Sequence, residues 1–363
     1  MRRPKIKVAV VYNESQPEMY KKSVDAEVKD PHFKTYFEVD KTTPMEEYDY
    51  IAKKLVTVGF NAYTLNIKDN LELMLKNLKE EKPDVIFNFV EIYKDNPRLE
   101  MNIVGLFELM EIPYTGAPSM GLANCQNKIL AKRLLSSAGI RIPQFFIVYA
   151  KTTRYPHKLN YPLLVKPAFE DASVGIENES IVNNSKQLKK RVEHVLKQFN
   201  QPALVEEFIE GRELNVAIMG DKRLRVLPIS EIDFSTMPDH LHNIVSYQAK
   251  WDPNHESYHK TIPICPAPLS QSIEKRAKEA AFKAFKVMGC RDYARVDIRL
   301  SKDNKVYVLE VNPNPDITEG AGFMRSAEHS GLTYAQALKR IVKYALGRRN
   351  DLKSVKPPSR EFQ

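Results

Sequence analysis

The chain has 363 residues, 43% of them hydrophobic and 28% charged, enough to bury a large core and to divide into two or three domains. No apolar run approaches the ~20 residues needed to span a bilayer, and MRRPKIKVAVVY passes straight into strand without a signal-peptide hydrophobic region, so a cytoplasmic protein without membrane insertion is expected. The net charge of +9 is concentrated: residues 339–363 carry eight Lys/Arg against Asp351 and Glu361, leaving about +3 for the body, so nucleic acid is not an expected partner beyond a weak electrostatic hold by that tail.

The first segment alternates strand and helix: KIKVAVVY (5–12), an amphipathic helix over 43–60, NAYTLNI (61–67), a helix over 70–84 stopped by proline, and VIFNFVEIY (85–93). Such alternation implies a parallel sheet covered by helices. Residues 13–42 are too long and polar for an ordinary strand-to-helix loop and read as a functional insert. A second segment begins near Gly121 with a basic helix over 123–140, followed by strands at 144–150 and 161–168, a helix over 187–199, and a strand–turn–strand over 202–219. The third segment contains ARVDIRL (294–300) and VYVLEVN (306–312), joined by a turn at 302–305, and closes in a helix over 327–346. Cys125, Cys265 and Cys290 form no CxxC or Cys/His cluster and read as small core hydrophobes.

Within the last hairpin, Glu310 interrupts an apolar strand and Asn312 follows two residues later, on the same face. Asp297 stands in the middle of the partner strand. Antiparallel pairing would bring Asp297, Glu310 and Asn312 together as hard oxygen donors suited to Mg²⁺, which keeps water and borrows oxygens from a phosphate; the alternative is a merely solvated hairpin face. The Asn-Pro-Asn-Pro run after it is strong turn chemistry. No GxxxxGK[ST] or GxGxxG is present, so phosphates would be met by side chains. Lys166, inside the apolar strand LLVKP, and Lys128, on the basic helix, are candidates, because a lysine in a buried strand is costly unless paired or facing a ligand. The small turn after Lys166, with Ser173, Val174 and Gly175, could offer backbone N–H groups.

The order IPYTGAP, NK…LL…AGI…P, LLVKPAFEDASVGI, LVEEFIEGREL, SYQAKW, GCRDYARVDIRL and LEVNPNPDIT resembles the ATP-grasp superfamily, and within it the D-alanine:D-alanine ligase-like carboxylate–amine ligases, over roughly residues 84–340. The resemblance implies an α/β chain: an N-terminal parallel-sheet, Rossmann-like domain (1–120), then a two-lobed α+β ATP-grasp fold with a central lobe (121–207), a C-terminal lobe bearing the metal site (208–347), and a basic tail (348–363). It implies ATP, and Mg²⁺ as two ions on Asp297, Glu310 and Asn312, with Mn²⁺ as a substitute. Lys128, Lys166 and Lys250 would contact phosphates, the loop around Ser173 would close over them, Glu206, Glu207, Phe208 and Ile209 would form the adenine-reading hinge, and Glu213 would accept the ribose hydroxyls. Arg295 would face the tetrahedral oxyanion. The expected partners are a small-molecule carboxylate and an amine, amino acids or peptides, and a homodimer is expected by analogy.

Three departures bear on the substrates. The ligases open with a glycine-rich segment whose glutamate binds the first amino group; here VVYNESQPE leads into the insert, with Glu14 or Glu18 as candidates for that acid. Asn88, with Glu91 close by, stands where the ligases carry a histidine. After the metal asparagine, a glycine has become Asp316 and a serine Ala321, which would repel a second substrate's carboxylate; the alternative is that Asp316 only caps the turn before Thr318. The expected activity is therefore amide formation through an acyl phosphate with an amine other than D-alanine. A true D-alanine:D-alanine ligase and a non-catalytic nucleotide-binding regulator are the alternatives. The His240, His242, His255 and His259 group, in a loop over 233–261 expected to cover the substrate site, shows no metal-ligand spacing.

Overall fold

A computed structural model of the protein describes residues 5–15 and 43–354, with side chains through residue 348. Glu18, most of the 13–42 insert and the last nine residues of the tail lie outside the described residues.

The chain runs β1 (Lys7–Tyr12), α1 (Pro44–Thr57), β2 (Asn61–Asn66), α2 (Leu71–Glu81) and β3 (Val85–Phe89), and the three strands form a parallel sheet in the order β2-β1-β3. Helix starts are written locally: Thr43 and Glu46 close a capping box around Pro44, and the Asn70 side chain accepts from Leu73 N–H, each satisfying donors that the first helical turn leaves open. Next come α3 (Glu100–Leu109), α4 (Ser119–Gln126) and α5 (Lys128–Ser137). The single helix expected over 123–140 is therefore two. Asn127 leaves helical geometry (φ −93°, ψ 93°) and its side chain caps α5 at Leu130 N–H, which makes Lys128 the first residue of the new helix.

Strands β4 (Phe145–Val148), β5 (Leu163–Pro167), β6 (Ile181–Val182) and β7 (Ala203–Glu207), with α6 (Ser185–Gln198) between the last two, build an antiparallel sheet ordered β4-β7-β5-β6. Residues 208–210 link it to the second antiparallel sheet. That sheet contains β8 (Gly211–Gly220), β9 (Leu224–Val226), β10 (Ser230–Asp233), β11 (Ile262–Ile264), β12 (Asp292–Ser301) and β13 (Val306–Asn312), in the order β11-β10-β8-β12-β13 with β9 beside β8. The connection from β10 to β11 holds α7 (Tyr247–Trp251), and α8 (Gln271–Val287) precedes β12. The closing helix expected over 327–346 is also two, α9 (Gly322–His329) and α10 (Tyr334–Ser354). Gly331, at φ +87°, takes the left-handed geometry that ends a helix cheaply only for glycine.

One face of the parallel sheet packs Val8, Val10, Val85 and Phe87 against Ile51 and Leu55 of α1, Phe323 of α9 and Leu338, Ile341 and Val342 of α10. The C-terminal helices thus share a core with the N-terminal sheet, and each such buried aliphatic contributes about 2 kcal/mol. A second core joins α5 (Ala131, Leu135), α8 and the inner strands β8 and β12. Asp292, fully buried at the start of β12, takes Arg348 of α10 as an ion-pair partner and accepts from Gly116 N–H at 2.9 Å, so the IPYTGAP turn is fastened to the strand that carries the metal candidates.

Candidate active site

Pairing of β12 with β13 sets Asp297 opposite Glu310 and Arg295 opposite Asn312, with a register shift just after Asp297. Arg295 donates to both Asp297 oxygens, Nε to Oδ1 at 2.7 Å and Nη2 to Oδ2 at 2.8 Å. Asn215, the β8 neighbour of Asp297, donates to Oδ1 at 2.8 Å and Asn312 to Oδ2 at 2.9 Å. Two carboxylates and an amide are the donor chemistry of a hard divalent cation, completed by water and phosphate oxygens, and they converge as their alternation predicts. They are a partial set: among the described residues no three His, Cys, Asp or Glu side chains gather as a metal-holding cluster. Glu310 is held well below the usual carboxylate range chiefly by Lys128, against the opposing effect of burial.

The lysines form a buried ladder beside these acids. Lys128 reaches Asp171 at 2.8 Å and Glu310 at 3.2 Å; burial opposes its charge, but the two acids outweigh it and raise its pKa. Lys166 lies 2.7 Å from Glu206, and Lys132, one turn after Lys128 on α5, lies 2.5 Å from the other Glu206 oxygen. All three side chains are nearly sealed from solvent. Burial pushes the Glu206 carboxyl up, yet the two lysines together hold it below its ordinary value. The expectation placed Glu206 in the hinge for its backbone; its side chain does separate work, orienting Lys166. Lys132 was not expected at all. Its signal was the i,i+4 spacing to Lys128, which on a basic helix also fits a solvated face.

The link 208–210 lies where the hinge was expected. Glu207 and Phe208 donate their N–H groups to the carbonyls of Gln144 and Pro162, so these two donors are already engaged. Glu213 meets Arg299 at 2.9 Å, and burial, outweighing Arg299, raises its pKa.

The Ser173 hydroxyl donates to Val245 C=O at 2.8 Å, and Val174 N–H donates to Asp171 C=O. As observed, the loop is therefore tied down rather than presenting these two donors to a phosphate. Trp251 Nε1 donates to Ala172 C=O at 2.9 Å, and Tyr247 N–H to Ile176 C=O at 2.7 Å, so the turn after Lys166 is tied to helix α7. Gly175 (φ +73°) lies where a Cβ would come within 2.5 Å of Pro167, which fixes glycine at the base of this lid. Lys250, on the same helix, opens to the cleft; enclosure and then Arg295 hold its pKa below normal.

Under the lid is a cavity of about 540 Å³, bounded by Lys250, Trp251, Arg295, Asn312, Asn88 and a series of acids: Glu47, Glu91, Glu100, Asp171 and Asp316. Asp316 caps its turn, accepting from Thr318 N–H at 2.8 Å and the Thr318 hydroxyl at 2.6 Å, and it also faces the cavity. The same hydroxyl, with one proton to share, also lies against a Glu47 oxygen of α1. Asn88 uses its side-chain oxygen on Val90 N–H at 3.1 Å. Glu100 is nearly sealed and, among the described residues, held only by amides, Gln126 at 2.6 Å and Asn314 at 3.1 Å; burial, and then Glu91, push its pKa up to about 8. Glu91 is lifted to about 7 by enclosure and then by Asp316. Asn314 is more than a turn residue, since its oxygen accepts from Ala117 N–H at 3.0 Å. Glu14 does not border the cavity; its backbone pairs with the Asn66 side chain. Glu47 and Glu100 were not expected from sequence, because acids on helices ordinarily face water.

Residues 134–343 match the family model described as D-ala D-ala ligase C-terminus. The chain is similar to the uncharacterized protein y4sG of Sinorhizobium fredii, 30% identical over 261 residues, 72% of this chain and 74% of that one. It is 29% identical to a D-alanine--D-alanine ligase of Carboxydothermus hydrogenoformans, covering 82% of this chain and 92% of that one, and 32% identical to one of Syntrophobacter fumaroxidans, covering 67% and 75%. A crystal structure of the D-alanine--D-alanine ligase of Bacillus anthracis, complexed with ATP, superposes with a TM-score of 0.68 at 20% identity, over 96% of this chain and 99% of that one, and shares its fold. With more than half its length inside the family model, this chain belongs to the D-alanine–D-alanine ligase family of ATP-grasp carboxylate–amine ligases.

Proposed function

We propose that the protein joins a substrate carboxylate to a substrate amine with ATP and Mg²⁺, releasing ADP and phosphate, and that its amine is not D-alanine. A free carboxylate is a poor acyl donor; ATP supplies the phosphoryl group that turns it into an acyl phosphate an amine can attack. Asp297, Glu310 and Asn312 would hold the metal, and Lys128, Lys166 and Lys250 would neutralise phosphate oxygens. Glu206, gripped by Lys132 and Lys166, keeps Lys166 aimed. Arg295, oriented by two hydrogen bonds to Asp297, would stabilise the tetrahedral oxyanion; a preorganised donor of this kind is worth about 3 kcal/mol. Glu213 is the candidate for the ribose hydroxyls, although Arg299 engages it here.

The observation that carries the choice of amine is Asp316 in the cavity wall, with Ala321 beyond it where a hydroxyl would be needed to receive a carboxylate. A zwitterionic acceptor would bring its carboxylate towards an anion. The test is incubation with ATP, Mg²⁺ and D-alanine alone, with mass detection of the dipeptide. The reading predicts no more dipeptide than in the enzyme-free control; steady ligation of D-alanine to itself would overturn it.

A further inference from the structure

We infer that the amine substrate is a diamine or the basic end of a larger molecule, its distal ammonium group held between Glu91 and Glu100 on the cavity wall. This deepens the reading above and rests on it for the position of the reacting carboxylate.

The argument is one of charge balance. The acids nearest the nucleotide lysines are already matched: Asp171 by Lys128, and Asp297 by Arg295. At the other cavity acids the situation reverses. Glu100 accepts only neutral amide hydrogens from Gln126 and Asn314, Asp316 and Glu47 are held by Thr318, and among the described residues no hydrogen bond or ion pair engages the Glu91 carboxylate. Among the groups that act most on Glu91, Lys250 is the cation, and the reading above assigns it to phosphate. An amino-acid donor could bring one ammonium group and satisfy one acid, which still leaves the wall anionic. Glu100, nearly sealed and without a countercharge, is unfavourable as an anion; Glu91, which borders the same cavity and is itself open to solvent, adds to that unfavourable charge. A ligand ammonium would supply the missing countercharge and form charge-assisted hydrogen bonds.

The position is also built. Glu100 is the first residue of α3, fixed by Gln126 at the end of α4 and by Asn314, which is itself pinned to Ala117 N–H. Gly116, at φ +91°, must lack a side chain because a Cβ would lie 2.2 Å from Asn314 Oδ1. A backbone position is thus reserved for the amide that orients Glu100. A residue serving only to fill the wall would need none of this.

The test is calorimetric titration of the full chain, with Mg²⁺ and a non-hydrolysable ATP analogue, by 1,4-diaminobutane, butylamine and D-alanine, repeated on Glu91→Gln, Glu100→Gln and the double variant. These near-isosteric changes should fold, which thermal melting of each variant verifies. The expected result is diaminobutane binding about tenfold or more tighter than butylamine, with that advantage lost in the double variant. Equal affinity for the two amines, tighter binding of D-alanine, or an advantage untouched by the double variant would overturn the inference. Titration of the ATP analogue alone separates the two proposals: failure to bind it would count against the ligase reading, whereas the diamine comparison judges the wall.

Discussion

Arg295 lies two residues before Asp297 on the same face of β12 and grips both its carboxylate oxygens, at 2.7 and 2.8 Å. The pair is stiffened by Asn215 and Asn312, which donate to the same two oxygens. Asp297 therefore serves Arg295 as well as any metal. Asp297→Asn should abolish productive turnover by about a hundredfold or more, whereas Arg295→Lys, which keeps the charge and loses the two-pronged contact, should retain more metal-dependent nucleotide binding than Asp297→Asn does. Titration of an ATP analogue with and without Mg²⁺ distinguishes these outcomes.

Glu206 sits between Lys132 and Lys166 with almost no solvent access. Removing one partner of a buried ion pair costs about 3 kcal/mol, while replacing the whole group by neutral residues costs less. Glu206→Gln should therefore destabilise the protein by about that amount, because it leaves two lysines without their acid. Lys132→Met combined with Glu206→Gln should recover part of the loss. A double-mutant cycle by urea unfolding should give a coupling above about 1 kcal/mol.

Glu100 supplies a pH signature. Its folded-state pKa lies near 8, above the ordinary carboxyl value, so folding favours its protonated form. Its contribution is full below the ordinary carboxyl pKa and is lost as pH rises through about 8. Glu100→Gln removes the ionisation, so melting temperatures should show the variant gaining on the parent between pH 5 and pH 9. A gap that does not change with pH would contradict the assignment.

Trp251 is the chain's only tryptophan, 53% exposed, and its indole donates to the Ala172 carbonyl in the lid. Closure of the lid over a nucleotide should shield the ring and shift its emission to shorter wavelength, in step with bound ATP analogue. Gly175→Ala, which would force a Cβ against Pro167 at a positive φ, should reduce that response and cost about 2 kcal/mol of stability.

Much of this was legible in the sequence where chemistry contradicts pattern. Glu310 and Asp297 stand out because acids interrupt apolar strands, and Lys166 because a lysine sits inside LLVKP; the structure pairs Asp297 with Glu310 across β12 and β13 and buries Lys166 against Glu206. The parallel N-terminal sheet and the antiparallel β12–β13 hairpin follow from periodicity. What could not be read is where an ordinary-looking residue becomes buried by a distant element. Lys132, Glu47 and Glu100 are unexceptional on their own helices, and their meaning comes from partners such as Glu206, Thr318 and Asn314 that the fold brings to them. The two helix breaks, at Asn127 and Gly331, were within reach of capping rules, since Asn and Gly are the residues that start and stop helices; continuous helical pattern on both sides concealed them.

The central claim is tested most directly by ADP release from ATP and Mg²⁺ in the presence of pooled carboxylic and amino acids, with and without added diamines, read together with product mass and with Asp297→Asn as control. The account predicts release that requires both a carboxylate and an amine, a product whose mass is their sum less water, and loss of both signals in the control. ADP release unchanged by any amine, or equally strong in Asp297→Asn, would contradict it.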